Sequence, residues 1–219
     1  MTLWKTRELA LAALRIELKS EGDTLQELFD IVDECVTELQ QIDSASVRVT
    51  ALAVIKARNL ALSCYSLSLD GLAQEAGALF RVLIEASEIL TYFRLDPQRI
   101  EEAIEGRLPP AGIIAKRTDG KLQALREHLN KNASHFSFSP VAIQHLVNWD
   151  NGTFKAVQPF SLKVLRNNLH VCLSIFAGVA IEAIVFLSNC QSDSHHDLAK
   201  RVSLVYDQAT RLSRGTLSA

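Results

Sequence analysis

Apolar residues recur every three or four positions along most of this chain, and glycine and proline cluster at a few sites between those runs. That spacing predicts helices, because 3.6 residues per turn bring such positions onto one face. The first helix covers about 3 to 20, and Glu21-Gly22-Asp23 then breaks the pattern. A second, about 24 to 41, carries Leu25, Leu28, Phe29, Val32, Val36 and Leu39 on one side. Ser44 is placed to cap a third over about 45 to 68, apolar nearly all round and therefore central. The fourth runs from about 72 to 94, and a short acidic helix follows Asp96-Pro97. Another spans about 111 to 133, with an interruption near Thr118-Asp119-Gly120. Between 141 and 158 the period changes, and Asp150-Asn151-Gly152 between two short runs predicts a β-hairpin. Helical spacing resumes over about 161 to 189, and a polar helix covers about 193 to 213. No repeat and no long linker divides the chain. The expectation is an all-α fold, residues 1–219 forming a single domain: one bundle of about six to eight helices with a short hairpin.

The helix predicted over about 111 to 133 runs into a segment, Leu125 to Pro140, that places one arginine and two histidines before a helix-breaking Ser-Pro. On a continuous helix Arg126 and His135 project to opposite faces and differ in height by ~13 Å. His128, Asn132 and His135 share a face, but two turns hold the histidines too far apart for one metal ion. Two readings stay open: polar residues at a fraying helix end, or His135 facing a pocket, where imidazole suits acid–base work near neutral pH.

The fourth helix is apolar over well over half its circumference, which leaves a narrow strip of Gln74, Arg81, Glu85, Glu88 and Tyr92. Arg81 and Glu85, four apart, form a local ion pair in this register. The strip is either solvated or turned toward an internal cleft. Glu75 and Glu182 lie on otherwise apolar faces, where a charge needs a cation or donor, and Lys56 and Arg58 are the partners the pattern offers. Arg166 and His170 also meet at a four-residue spacing.

Composition narrows the classes. A formal charge of -2 provides no global field for nucleic acid, so double-stranded DNA is not an expected partner. Four widely spaced cysteines exclude a Cys-x-x-Cys zinc set and a small disulfide scaffold, and a reducing cytoplasm fits them best. No phosphate loop, dinucleotide fingerprint or nucleophile elbow is present, and neither a metal nor another cofactor is expected. Val171 to Leu187 is long and apolar apart from Ser174 and Glu182. A mid-span carboxylate costs ~2.5 kcal/mol or more on insertion, so a core helix explains the stretch better than a membrane span.

The order "GLAQEAGALFRVLIEASEILTYFRLDP", followed by "LREHLNKNASHFS", resembles an uncharacterised bacterial all-α family related to the HEPN superfamily. In that family a helix bearing Arg-x-x-x-Glu precedes one that ends in a leucine, a polar stretch and a histidine. Arg81, Glu85 and His135 are the matching positions, and the likeness covers roughly residues 65 to 138. It implies a helical bundle, a homodimer, and a polar centre of Arg81, Glu85 and His135. Many HEPN proteins are ribonucleases with arginine and histidine four to six residues apart. Here Arg126 and His135 have eight residues between them and Arg166 and His170 have three, so neither pair has that spacing.

Three functions follow. In the first, a cytoplasmic binding module uses Arg81, Glu85, Tyr92 and His135 to accept a small anionic ligand, a nucleotide or an RNA end. In the second, a metal-independent ribonuclease uses His135 as acid or base and Arg126 to stabilise phosphorane charge. The third is a partner-binding helical dimer without a small-molecule site.

Overall fold

A computed structural model of the chain describes residues 4–133, 140–155, 158–190 and 195–214. Among these, the long helices are α1 (Lys5–Arg15), α2 (Lys19–Leu39), α3 (Ala45–Leu69), α4 (Ala73–Leu95), α9 (Leu162–Cys190) and α10 (His196–Ser213). Between α4 and α9 lie four shorter helices: α5 (Arg99–Ile104), α6 (Ala111–Arg117), α7 (Gln123–Asn132) and α8 (Pro140–Ile143). β1 (Val147–Asn148) and β2 (Thr153–Phe154) form an antiparallel hairpin, Val147 opposite Phe154. The architecture is the all-α bundle with a short hairpin that the periodicity predicts.

At the centre is α9, packed against α2, α3, α4 and α10. By length and composition it could cross a membrane, yet 56% of its apolar window is buried inside the fold. Leu169, Leu173, Phe176, Val179 and Ala180 are inaccessible to solvent, and Phe176 meets Phe29 of α2 with ring centroids 4.8 Å apart. One apolar core runs from Ala10 to Ala209, and this non-directional burial is the main force holding the helices together.

Two sequence expectations are corrected at the N-terminal end. The first helix stops at Arg15, not near residue 20, and Gly22 lies inside α2 instead of breaking it. The chain bends at Ile16–Leu18, where Leu18 is wholly buried. A Cβ on Gly22 would stand 3.4 Å from the Leu14 side chain, at the edge of ordinary contact, so the glycine faces α1 within a helix and makes no turn. Glu21 faces inward and meets His170 Nε2 at 3.3 Å and Arg166 Nε at 3.7 Å, so the Arg166/His170 spacing holds a buried carboxylate.

Glu75 is exposed and needs no partner. Glu182 is largely buried and accepts hydrogen bonds from Arg94 Nε at 2.5 Å and Thr91 Oγ1 at 3.0 Å, both on α4. Neither Lys56 nor Arg58 supplies it: Arg58 grips Asp33 through Nε and Nη2, each at 2.8 Å, and lies over the Phe29 ring. The crossing of α4 and α9 decided that pairing, and helix periodicity carries no information about such a crossing.

The interruption near Thr118 separates α6 from α7. Asp119 and Gly120 both have left-handed backbone, with φ of 63° and 56°, which the helix cannot continue through. The Thr118 hydroxyl donates to the Ile114 and Ala115 carbonyls and closes the end of α6. This bend folds two short helices over one side of α4.

Candidate functional site

The residues of the α4 polar strip do not all reach one place. Arg81, Glu85, Glu88 and Tyr92 form a continuous stripe, but eleven residues put Arg81 and Tyr92 about 16 Å apart along the axis. Beside Arg81, α6 and α7 border a cavity of about 620 Å³. Arg81 from α4, Lys116 from α6, and Gln123, Arg126 and Asn130 from α7 line it, with Asp119 at the bend. Three cations therefore face one carboxylate in the lining itself.

The approach of α7 to α4 depends on Gly77. A Cβ at that position would lie 2.9 Å from the Ala133 Cβ, closer than side chains tolerate. With glycine there, the end of α7 settles directly onto α4, and its antiparallel course brings Arg126 to Glu88. The two form an ion pair, with residue exposures of 6% and 7%. One turn away Arg81 Nη2 lies 2.9 Å from Glu85 Oε1. Two arginine–carboxylate pairs thus stand side by side, one within α4 and one bridging to α7.

These pairs are incompletely satisfied. Among the described residues, Arg81 Nε, Arg126 Nε, Glu88 Oε1 and Asn130 Oδ1 are buried without a hydrogen-bond partner. Glu85 Oε1 also lacks one, although it is within ion-pair distance of Arg81; proximity supplies charge attraction without the alignment of a hydrogen bond. Each such atom costs about 1–3 kcal/mol relative to a satisfied one. Burial pushes the Glu88 carboxyl up from the usual glutamate range; Arg126 opposes that shift and Glu85 adds to it.

Tyr92, expected in this cleft, is instead wholly buried in a separate cluster with Phe93, Ile100 and Ile114. Its hydroxyl donates to Glu102 Oε2 and accepts from Arg117 Nη1, both at 2.9 Å. His135 lies outside the described residues. Arg126, expected to act with His135, is committed to Glu88. His128 is on the exposed side of α7, where its carbonyl accepts from Asn132 Nδ2 at 3.0 Å. No group of three or more His, Cys, Asp or Glu that could hold a metal ion occurs among the described residues.

Sequence reasoning found Arg81 and Glu85 and placed Glu88 on the same strip, but missed the Arg126–Glu88 pair. A signal was present: Arg126 shares a face with Leu122, Leu129 and Ala133, so it is a charge set in the apolar seam of its own helix. Asn130 and Lys116 carried no comparable signal.

Comparison of the chain with protein-family models, with curated proteins and with solved structures gives no match.

Proposed function

We propose that the protein is a binding module whose cleft between α4, α6 and α7 takes a small anionic ligand, and that a nucleotide or the end of an RNA strand suits it. The observation that carries this reading is the pair of guanidiniums of Arg81, partly buried, and Arg126, buried. They lie on facing helices beside one cavity, each tied to a carboxylate and each with Nε unpartnered. Buried donors left unmatched are rare in folded proteins because their desolvation is not offset, and they concentrate where a ligand completes the set.

The chemistry of the cleft has two halves. Arg81, Lys116 and Arg126 provide cationic donors for a phosphate or carboxylate, and guanidinium geometry suits a two-point contact. Asp119 and Asn130 in the lining supply acceptors for amino or hydroxyl groups, and Glu85 and Glu88 are paired to the two arginines. A nucleotide carries both kinds of group. When its phosphate engages an arginine, the released carboxylate is free to accept from the base or sugar.

The test is a thermal-shift titration with adenosine 5′-monophosphate and, separately, inorganic phosphate. Wild-type protein is expected to gain stability with the nucleotide, and Arg81→Ala is expected to lose that gain while melting as a folded protein. A shift of equal size in both proteins overturns the reading.

A further inference from the structure

A second cavity, of about 380 Å³, shares no lining residue with the first and lies where the hairpin meets the start of α9. Its floor is apolar: Ala73, Phe160, Val164 and Leu165 contribute. Its rim is polar, with Gln74 and Gln158 carboxamides and the Ser68 and Ser161 hydroxyls. His145 and Lys155 complete it from the two ends of the hairpin. Among the described residues no carboxylate lines this cavity and Lys155 takes part in no ion pair. One basic side chain therefore lines a partly apolar space that has no countercharge among the described residues. Beside it, the Nδ1 of His145 is buried and has no hydrogen-bond partner among the described residues.

The wall is built for close contact. Gly71 has φ of +78°, and a Cβ there would stand 2.9 Å from the Thr6 side chain, so only glycine lets α1 close that side. The hairpin adds a second argument. A two-pair hairpin has no independent stability in water, and this one leaves Trp149 59% and Phe154 88% exposed, so burial of its own apolar residues does not explain its presence. Its visible structural consequence is positional: the Lys155 amide donates to the Leu146 carbonyl at 2.8 Å and pins Lys155 beside His145 over the cavity.

We propose that this cavity binds a monocarboxylate with a small apolar or aromatic body, the carboxylate on Lys155 and the body against Phe160, Val164 and Leu165. One cation matches one negative charge, and the Gln158 carboxamide and the Ser161 hydroxyl supply further donors, while Gln74 and Ser68 already donate to the Asn132 and Cys64 carbonyls. The volume equals that of about a dozen waters at ~30 Å³ each, which sets the size of the occupant at roughly ten non-hydrogen atoms. This site shares no lining residue with the α4–α6–α7 cleft, and the proposal does not rest on the reading of that cleft.

The probe is phenylacetate, titrated into isotope-labelled full-length protein while the side-chain amide signals of Gln74, Gln144 and Gln158 are followed by NMR. Saturable shifts are expected. Phenylacetamide, which keeps the shape and loses the charge, and acetate, which keeps the charge and loses the body, are each expected to bind at least about tenfold more weakly. Lys155→Met is expected to give the same loss, and Val164→Trp, which fills the space over the apolar floor without touching a charge, to abolish the shifts. Arg81→Ala is expected to leave them unchanged. Equal binding of phenylacetate and phenylacetamide by the wild-type protein, or no shift at these glutamines up to ~20 mM phenylacetate, overturns the proposal, and neither result depends on a variant folding.

Discussion

Helix α4 carries two buried polar regions built from the same ingredients, arginines and glutamates beside one stripe of the helix, and they differ in how completely they are satisfied. Around Tyr92 the donors and acceptors match: the hydroxyl bridges Glu102 and Arg117, and the Arg99 guanidinium lies 4.3 Å over the ring while Nη1 donates to the Tyr92 carbonyl. Two turns earlier, Arg81, Glu85, Glu88 and Arg126 form pairs that leave several buried atoms unmatched. The lesson is that residue type does not separate a structural polar network from a binding site. The difference lies in the unmatched donors and acceptors, because a finished network has nothing left to offer a ligand.

That contrast can be broken by experiment. The largest effect belongs to Arg126→Met, which strands a buried Glu88; a loss of about 3–5 kcal/mol in denaturant unfolding is expected. Glu88→Leu combined with Arg126→Met is expected to recover most of it, since two apolar side chains replace the pair at little cost. If the double variant is no better than the single, the pair belongs with the structural network and not with the cleft.

Tyr92→Phe comes next. It removes the bridge between Glu102 and Arg117 without opening a cavity, and a loss of about 1–3 kcal/mol is expected, with nucleotide binding in the cleft unaffected. A change in that binding would join the two regions and erase the comparison.

Glu88 gives the comparison a pH axis. Its carboxyl is raised in the folded state, mainly by burial, so the folded protein holds this proton more tightly than the unfolded chain does. Stability from this group is then greatest in acid, and it falls as pH rises from the ordinary glutamate range through the raised folded value. Glu88→Gln, which cannot ionise, is expected to flatten that part of the stability–pH curve. An unchanged slope between the two proteins would remove the assigned cause.

The smallest effect on stability is expected from Arg81→Ala. Its pair with Glu85 is a within-helix contact, partly open to solvent, worth about 0.3–0.5 kcal/mol. Its effect on nucleotide binding should be far greater, and this split between stability and binding is what distinguishes the cleft from the Tyr92 corner.

Much of the fold was legible in the chain. Helix boundaries at Ala45, Ala73 and Leu162 follow from apolar periodicity and flanking breakers, and the Asp150-Asn151-Gly152 turn announced the hairpin, where Gly152 takes φ of 68°. Gly22 misled because glycine occurs both at turns and within helices that face a neighbour, and only the packing against Leu14 tells them apart. Tyr92 misled because helical phase fixes direction and not depth: it shares a face with Arg81, but α5 and α6 cover one end of that face and the cavity lies at the other.

By itself the sequence determined what is periodic and local: which stretches are helical, which faces are apolar, where the chain must turn, and that Arg81 and Glu85 meet. These follow from contacts within one or two turns. Only the tertiary structure decided that Arg126 pairs with Glu88, that Arg94 answers Glu182, and that His145 and Lys155 line one cavity. Those pairings depend on where separate helices cross, and the crossings are set by the summed burial of many side chains, Gly77 against Ala133 among them, which no local pattern encodes.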